Sequence, residues 1–69
     1  MTGPELKSIR QKLCLSVIEM GQALGYEGQD NTLSVTVRRY ELEMRTIPPW
    51  IARLAFMYGK HGVPKSFLK

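Results

Sequence analysis

Side chains that can act as nucleophiles or bases are few and scattered in this chain of 69 residues. Cys14, Ser16, Ser34 and His61 do not have the spacing of a nucleophile and its base, and no glycine-rich phosphate loop occurs. One cysteine and one histidine are also too few for a typical zinc site. We therefore expect no catalytic site, no metal and no cofactor.

The charged residues offer a different chemistry. Residues 1–30 carry three basic and four acidic side chains, a net charge of −1, whereas residues 31–69 carry seven basic and two acidic ones, a net charge of +5. A basic half suits a polyanion such as nucleic acid. A solvated surface that only improves solubility has the same composition, so charge alone leaves both interpretations open.

The length and apolar content are typical of one small globular domain. The sequence has no run of about 18 apolar residues that would span a membrane, and its first residues lack the apolar stretch of a secretory signal. Cys14 has no second cysteine for an internal disulfide. These features favour a reducing, cytoplasmic location.

Two capping boxes indicate where the first two helices begin. The segment Thr2 to Glu5 has the form S/T-x-x-E, and Ser16 to Glu19 repeats it. The second box predicts that the first helix ends near Cys14, before the second begins. Gly25 is expected to end the second helix. Gly21 lies inside that helix, where glycine costs about 1 kcal/mol relative to alanine. We therefore expect another helix to approach closely at Gly21.

A third helix is predicted from a cap at Asp30 or Asn31 to about Glu43. Helical spacing places its apolar residues on one side and several polar or basic ones on the other. A strand would bury an arginine, so a helix is favoured. The expected inner side is Leu33, Val37 and Tyr40, and the expected outer side is Asn31, Val35, Arg38, Arg39 and Leu42.

Two prolines, Pro48 and Pro49, predict the start of a fourth helix that ends near Gly62. Residues 63–69 form a short tail, and residues 1–62 are predicted to be an all-α bundle of four short helices. The inner stripe of the fourth helix is expected to be Trp50, Leu54 and Met57, with Ile51 and Tyr58 at its margin and Ala52, Arg53 and Phe56 outside.

The order and spacing of four segments carry a resemblance to a known family. The segments are LKSIRQKLCLS, SVIEMGQALG, TVRRYE and RTIPPWIARLAFMYG, and they cover about residues 4–58. Together they resemble the Cro/CI (lambda-repressor-like) family of helix-turn-helix regulators. The resemblance implies a lambda-repressor-like fold whose third helix lies in the DNA major groove. It also implies a structural ion pair between Arg10 and Glu41, which we prefer to a catalytic pair.

The chain departs from this family at several positions. Family members usually have glycine where Cys14 and Glu43 stand, which implies strained left-handed caps or slightly longer helices. Val17 replaces a glutamine that often contacts a DNA phosphate. The segment YEGQDN makes the turn before the third helix longer than the compact turn of the family.

The resemblance assigns base reading to the outer side of the third helix. Arg39 is expected to pair with guanine and Asn31 with adenine, with Ser34 nearby. Val35 suits a thymine methyl group, or equally it is half-buried beneath the extended turn. Phosphate contacts are expected from basic residues and from helix N-termini: Ser16, Gln22, Thr32, Arg38, Arg45 and Lys60.

The implied function is a dimeric, sequence-specific transcriptional repressor that reads a palindromic double-stranded DNA operator, without a small-molecule ligand. The segments that carry the resemblance cover most of the chain. This fits a small regulator of a phage or mobile element that represses its own gene. Apolar residues outside the expected core are predicted to form the homodimer interface: Ala52, Phe56, Phe67 and Leu68. The alternative is an antitoxin-like or other protein-interaction module.

Overall fold

Four α-helices follow one another along the chain in the computed structural model, which describes residues 1–68. They are α1 (Gly3–Lys12), α2 (Val17–Ala23), α3 (Asp30–Glu41) and α4 (Pro49–His61), and a 3₁₀ turn (Lys65–Phe67) follows them. No strand occurs within residues 1–68. The prediction of an all-α fold with four short helices is confirmed.

Both predicted capping boxes are present. The Thr2 hydroxyl accepts from the Glu5 amide at 3.2 Å, and the Glu5 carboxylate accepts from the Thr2 amide at 2.8 Å. Ser16 and Glu19 exchange the same two bonds at 3.1 and 2.9 Å. These bonds satisfy amides that have no partner within the helix, which fixes where α1 and α2 begin.

The ends of α1, α2 and α3 have the same backbone geometry. In each, the residue after the C-cap has a positive φ: 58° at Cys14, 90° at Gly25 and 60° at Glu43. Each end also has the two hydrogen bonds of a Schellman motif, for example Leu15 N–H to the Arg10 carbonyl at 3.1 Å. The strained left-handed caps expected at Cys14 and Glu43 are therefore present.

The start of α3 differs from the prediction. Gln29, rather than Asp30 or Asn31, occupies the N-cap position, and its side chain makes no capping hydrogen bond. Asp30 is the first residue of the helix, where a carboxylate interacts favourably with the helix dipole.

The core lies where the inner sides of all four helices meet. Leu6 of α1, Met20 of α2, Val37 of α3 and Ile51 of α4 are completely buried. Gly21 allows the close approach that its position predicts, because a Cβ there would lie 3.0 Å from Leu33 Cβ. The backbone of α2 at Gly21 therefore packs directly against the Leu33 side chain of α3.

The predicted inner stripe of α4 is wrong by one residue, which is a rotation of about 100° around the helix. Ile51, Ala55 and Tyr58 are buried, whereas Trp50 and Met57 are 56% and 59% exposed. Apolar residues occur around most of α4, so hydrophobic spacing alone did not distinguish its two sides. None of the helices described in residues 1–68 combines the length and apolar character needed to cross a membrane.

Candidate nucleic-acid interface

The outer side of α3 is exposed along its length. Leu33, Val37 and Tyr40 face the core with at most 6% exposure, as predicted. Successive residues of a helix rotate by about 100°, so the opposite side of α3 presents Asn31, Val35 and Arg39 to solvent. Residues 30–41 thus form a rod with one anchored side and one open side.

The four residues predicted to read bases have different surroundings. Asn31 and Arg39 are exposed, and Ser34 is half-buried at the edge of the outer side. Val35 is 45% exposed, so the extended turn does not cover it. Side chains that are open, polar or β-branched, and carried on one rigid helix, have the placement that base-edge recognition requires.

A bidentate ion pair holds the last turn of α3 against α1. Arg10 Nε lies 2.7 Å from Glu41 Oε2, and Arg10 Nη2 donates to Glu41 Oε1 at 3.2 Å. The third nitrogen, Nη1, donates to the Leu15 carbonyl at 3.1 Å. The Glu41 side chain is only 7% exposed, so this pair is well shielded from water. The Arg10 guanidinium therefore links three parts of the chain: α1, the segment between α1 and α2, and the end of α3.

The first turn of α1 supports the same end of α3. A Cβ on Gly3 would lie 2.7 Å from the Tyr40 carbonyl oxygen, so only glycine allows the two backbones to come so close. The Gly3 amide also donates to Glu43 Oε1 at 3.3 Å. Two separate contacts with α1 therefore fix the angle at which α3 leaves the globule.

The extended turn before α3 is tied down by an aromatic side chain. The hydroxyls of Tyr26 and Tyr40 lie 2.7 Å apart, and the Tyr26 ring lies 6.5 Å from that of Trp50. Burial and the hydrogen bond to Tyr40 raise the pKa of Tyr26 to about 12. The turn is therefore anchored at its start, whereas Glu27, Gly28 and Gln29 remain exposed.

Most carboxylates in residues 1–68 are engaged within the protein, whereas most cations are not. Glu5 and Glu19 accept capping bonds, Glu41 pairs with Arg10, and Glu43 accepts from Gly3. The carboxylates without such a role are in or next to the extended turn. Among the lysines and arginines of residues 1–68, only Arg10 lies within 4.0 Å of a carboxylate oxygen. The remaining positive charge is available to an external anion.

The residues predicted to contact phosphate are distributed over several surfaces. Ser16 caps α2, Thr32 and Arg38 are exposed on α3, and Arg45 is exposed in the segment between α3 and α4. Lys60 is exposed on α4, away from its buried side.

The placement expected for Gln22 is wrong. Gln22 lies in the last turn of α2, not near an N-terminus, and it lines a pocket with Leu54 and Phe67. The helix dipole there favours cations rather than a phosphate.

The predicted dimer residues divide into two pairs. Phe56 and Phe67 are 54% and 49% exposed. Ala52 and Leu68 are instead partly buried against the core of their own chain. Their expected outward placement is therefore wrong. For Ala52 the reason is that α4 is rotated relative to the prediction, and for Leu68 it is that the end of the tail packs against the core.

One groove beside α3 was not foreseen from the sequence. It has a volume of about 490 Å³ and lies between α1 and α3. Lys7 and Arg38 line it together with the Arg10–Glu41 pair and Val17. The spacing of Lys7 and Arg10, three residues apart on one helix face, is the sequence signal that places Lys7 there.

Comparisons of this chain with protein-family models, with curated proteins and with solved structures found no match in any of the three.

Proposed function

We propose that this protein is a sequence-specific regulator that binds double-stranded DNA and inserts α3 into the major groove. In this proposal α2 and α3 act as a lambda-repressor-like helix-turn-helix with an extended turn. The observation that carries the proposal is the open outer side of α3, on which Asn31, Val35 and Arg39 are exposed while the inner side is anchored. That arrangement matches a recognition helix.

Electrostatics support the same function. The cations on and beside α3 have no carboxylate partner among residues 1–68, so no ion pair within the protein competes with a phosphate for them. Glu41, the acidic residue at the end of α3, is neutralised by Arg10 and shielded. Phosphate contacts would orient the protein, and the outer side of α3 would then read base edges.

The rigid attachment of α3 also supports base reading. Specific recognition requires side chains held in a fixed position relative to the base edges. The Arg10–Glu41 pair and the close contact at Gly3 hold one end of α3, and the contact of Gly21 with Leu33 holds the other. A loosely attached basic helix would bind DNA without discriminating between sequences.

The test is selection of bound oligonucleotides from a random pool, followed by gel-shift titration at several salt concentrations. We expect an enriched motif, and an affinity for it that falls steeply with salt, by a log–log slope of about −0.9 for each phosphate contacted. Binding without an enriched motif would reduce the proposal to non-specific DNA binding. No binding at low salt would refute it.

We further propose that the protein binds as a homodimer, because one reading helix contacts too few base pairs for high specificity. Two-fold dimers of this type read half-sites about one helical turn apart. The enriched motif should then be a palindrome. Repression would follow from occupying a promoter and excluding RNA polymerase.

A protein-interaction module is the second candidate function. The observation that favours it is a set of large apolar side chains on α4, Trp50, Phe56 and Met57, each more than half exposed beside the basic Arg53 and Lys60. Sedimentation of the free protein separates the two uses of this surface. A concentration-dependent dimer supports the regulator, whereas a monomer at micromolar concentration, with and without the selected DNA, supports a partner of another kind.

A further inference from the structure

We propose that the groove between α1 and α3 is a seat for one DNA backbone phosphodiester, held between Lys7 and Arg38. This inference rests on the proposed function and adds to it a contact from α1, a helix to which no DNA contact has been assigned.

The chemistry of the groove is that of an anion site. Lys7, Arg10, Arg38 and Glu41 are its charged lining residues. Glu41 and Arg10 neutralise each other, because their two side-chain bonds are 2.7 and 3.2 Å long. Lys7 and Arg38 therefore leave a net charge of +2, and neither has a carboxylate within 4.0 Å among residues 1–68.

The position of the groove fits a phosphate that flanks the bases read by α3. Arg38 lies on α3 next to Arg39, so one turn of the helix carries both a groove residue and a residue of the outer side. Lys7 faces the groove from α1, and both side chains are exposed. A phosphate bound here would fix the register of α3 along the duplex without reading sequence.

Val17 explains why a cation from α1 is needed. It lines the same groove, and its side chain has no hydrogen-bonding group to offer a phosphate. Pro4 and Leu42 add two further apolar lining residues. A bound anion would therefore depend on the two cations, Lys7 and Arg38.

The test compares wild-type protein with Lys7→Gln, Arg38→Gln and the matched control Lys12→Gln. Lys12 is exposed on the same helix as Lys7, but helical geometry turns it about 140° away from the groove. For the selected DNA, we expect Lys7→Gln and Arg38→Gln each to make the log–log salt slope about 0.9 less steep, and Lys12→Gln to leave it unchanged. Circular dichroism checks that each variant is folded.

A second measurement locates the contact. Replacing single phosphates of the selected site with neutral methylphosphonates should identify one position that weakens wild-type binding more than it weakens binding by Lys7→Gln, in which only Arg38 is left to contact that phosphate. Wild-type DNA binding with the same salt slope and the same methylphosphonate response in Lys7→Gln would overturn the groove proposal alone. No binding by the wild type would overturn the proposed function, and the groove proposal with it.

Discussion

Helices α3 and α4 both bury an apolar inner side but present different side chains to solvent. The outer side of α3 carries Asn31, Val35 and Arg39, whereas that of α4 carries the basic Arg53 and Lys60 together with Phe56 and Met57, which are 54% and 59% exposed. Polar and basic side chains suit DNA, and large exposed apolar side chains suit another protein surface. One small core thus supports two exposed helix sides of different composition, and we propose a different kind of partner for each.

The contrast also extends to how the two helices are held. The last turn of α3 is clamped by Arg10 through Glu41, and its left-handed cap uses Glu43 at a φ of 60°. α4 ends instead at Gly62, whose φ of 83° is unstrained for glycine. The end of α3, the helix proposed to read DNA, is thus more strained than the end of α4.

The largest effect is expected from removing the Arg10–Glu41 ion pair, which holds the end of α3 against α1. Glu41→Ala leaves the Arg10 guanidinium shielded but unpaired, which should lower the free energy of unfolding by about 3 kcal/mol. Urea denaturation measures this change. Arg53→Ala, which alters an exposed arginine of α4, is the control and should change stability by less than about 0.5 kcal/mol. Equal effects of the two substitutions would show that the pair does not support α3.

The next largest effect concerns DNA discrimination by α3. Arg39→Ala should remove about 1–3 kcal/mol of preference for the selected site over a site with one altered base pair. Arg45→Ala should weaken binding to both sites about equally, because it removes only a phosphate contact. Competition gel shifts measure both. A uniform loss in both variants would mean that the reading face has been assigned to the wrong residues.

The outer side of α4 is tested by a polar substitution. Phe56→Ser should raise the dimer dissociation constant at least about tenfold, equivalent to about 1.4 kcal/mol, because an exposed aromatic anchor is lost from the interface. Sedimentation equilibrium measures the constant. Met44→Ser, at a residue that is 69% exposed but outside α4, is the control. If Met44→Ser weakens the dimer as much as Phe56→Ser does, the interface is not on α4.

A smaller effect on stability is expected at Tyr26, which contacts Tyr40 of α3 and Trp50 of α4. Tyr26→Phe leaves the Tyr40 hydroxyl without its partner, which should cost about 1 kcal/mol of stability. The pKa of the Tyr26 hydroxyl is about 12 in the folded protein, against an ordinary value of 10.0 in the unfolded chain. The folded state therefore holds the hydroxyl proton more tightly than the unfolded state does. The stabilisation is therefore complete below pH 10 and lost between pH 10 and 12.

Chemical denaturation across this alkaline range checks the prediction. The stability of the wild type should decline faster between pH 10 and 12 than that of Tyr26→Phe. Identical pH profiles would show that the hydrogen bond between Tyr26 and Tyr40 contributes no linked stability.

The smallest effect is a gain. Cys14→Gly should stabilise the protein by up to about 1 kcal/mol, because glycine relieves the left-handed backbone at the end of α1 and part of the gain is offset by greater unfolded-state entropy. Glu43→Gly should gain less, since it also removes the acceptor of the Gly3 amide. Thermal melting compares the two, and a loss of stability in Cys14→Gly would contradict the strain argument.

Local features of this protein were predictable from short stretches of residues. The two capping boxes, the glycine that ends α2 and the prolines before α4 act within a few residues, so their patterns could be recognised directly. The inner side of α3 was also predictable, because Leu33, Val37 and Tyr40 recur at helical spacing and both arginines fall on the other side. The basic half and the resemblance to lambda-repressor-like regulators came from the sequence as well, and DNA binding stays a prediction.

Which side of α4 is buried, and which surfaces the basic side chains line, depend on packing between distant helices. Apolar residues surround most of α4, and the selection of Ile51 over Trp50 depends on packing against Leu6 and Met20 from distant parts of the chain. The groove lined by Lys7 and Arg38 likewise depends on how α1 packs against α3, next to the Arg10–Glu41 pair. Contacts between residues far apart in the chain depend on how whole helices fit, and local spacing does not encode that fit.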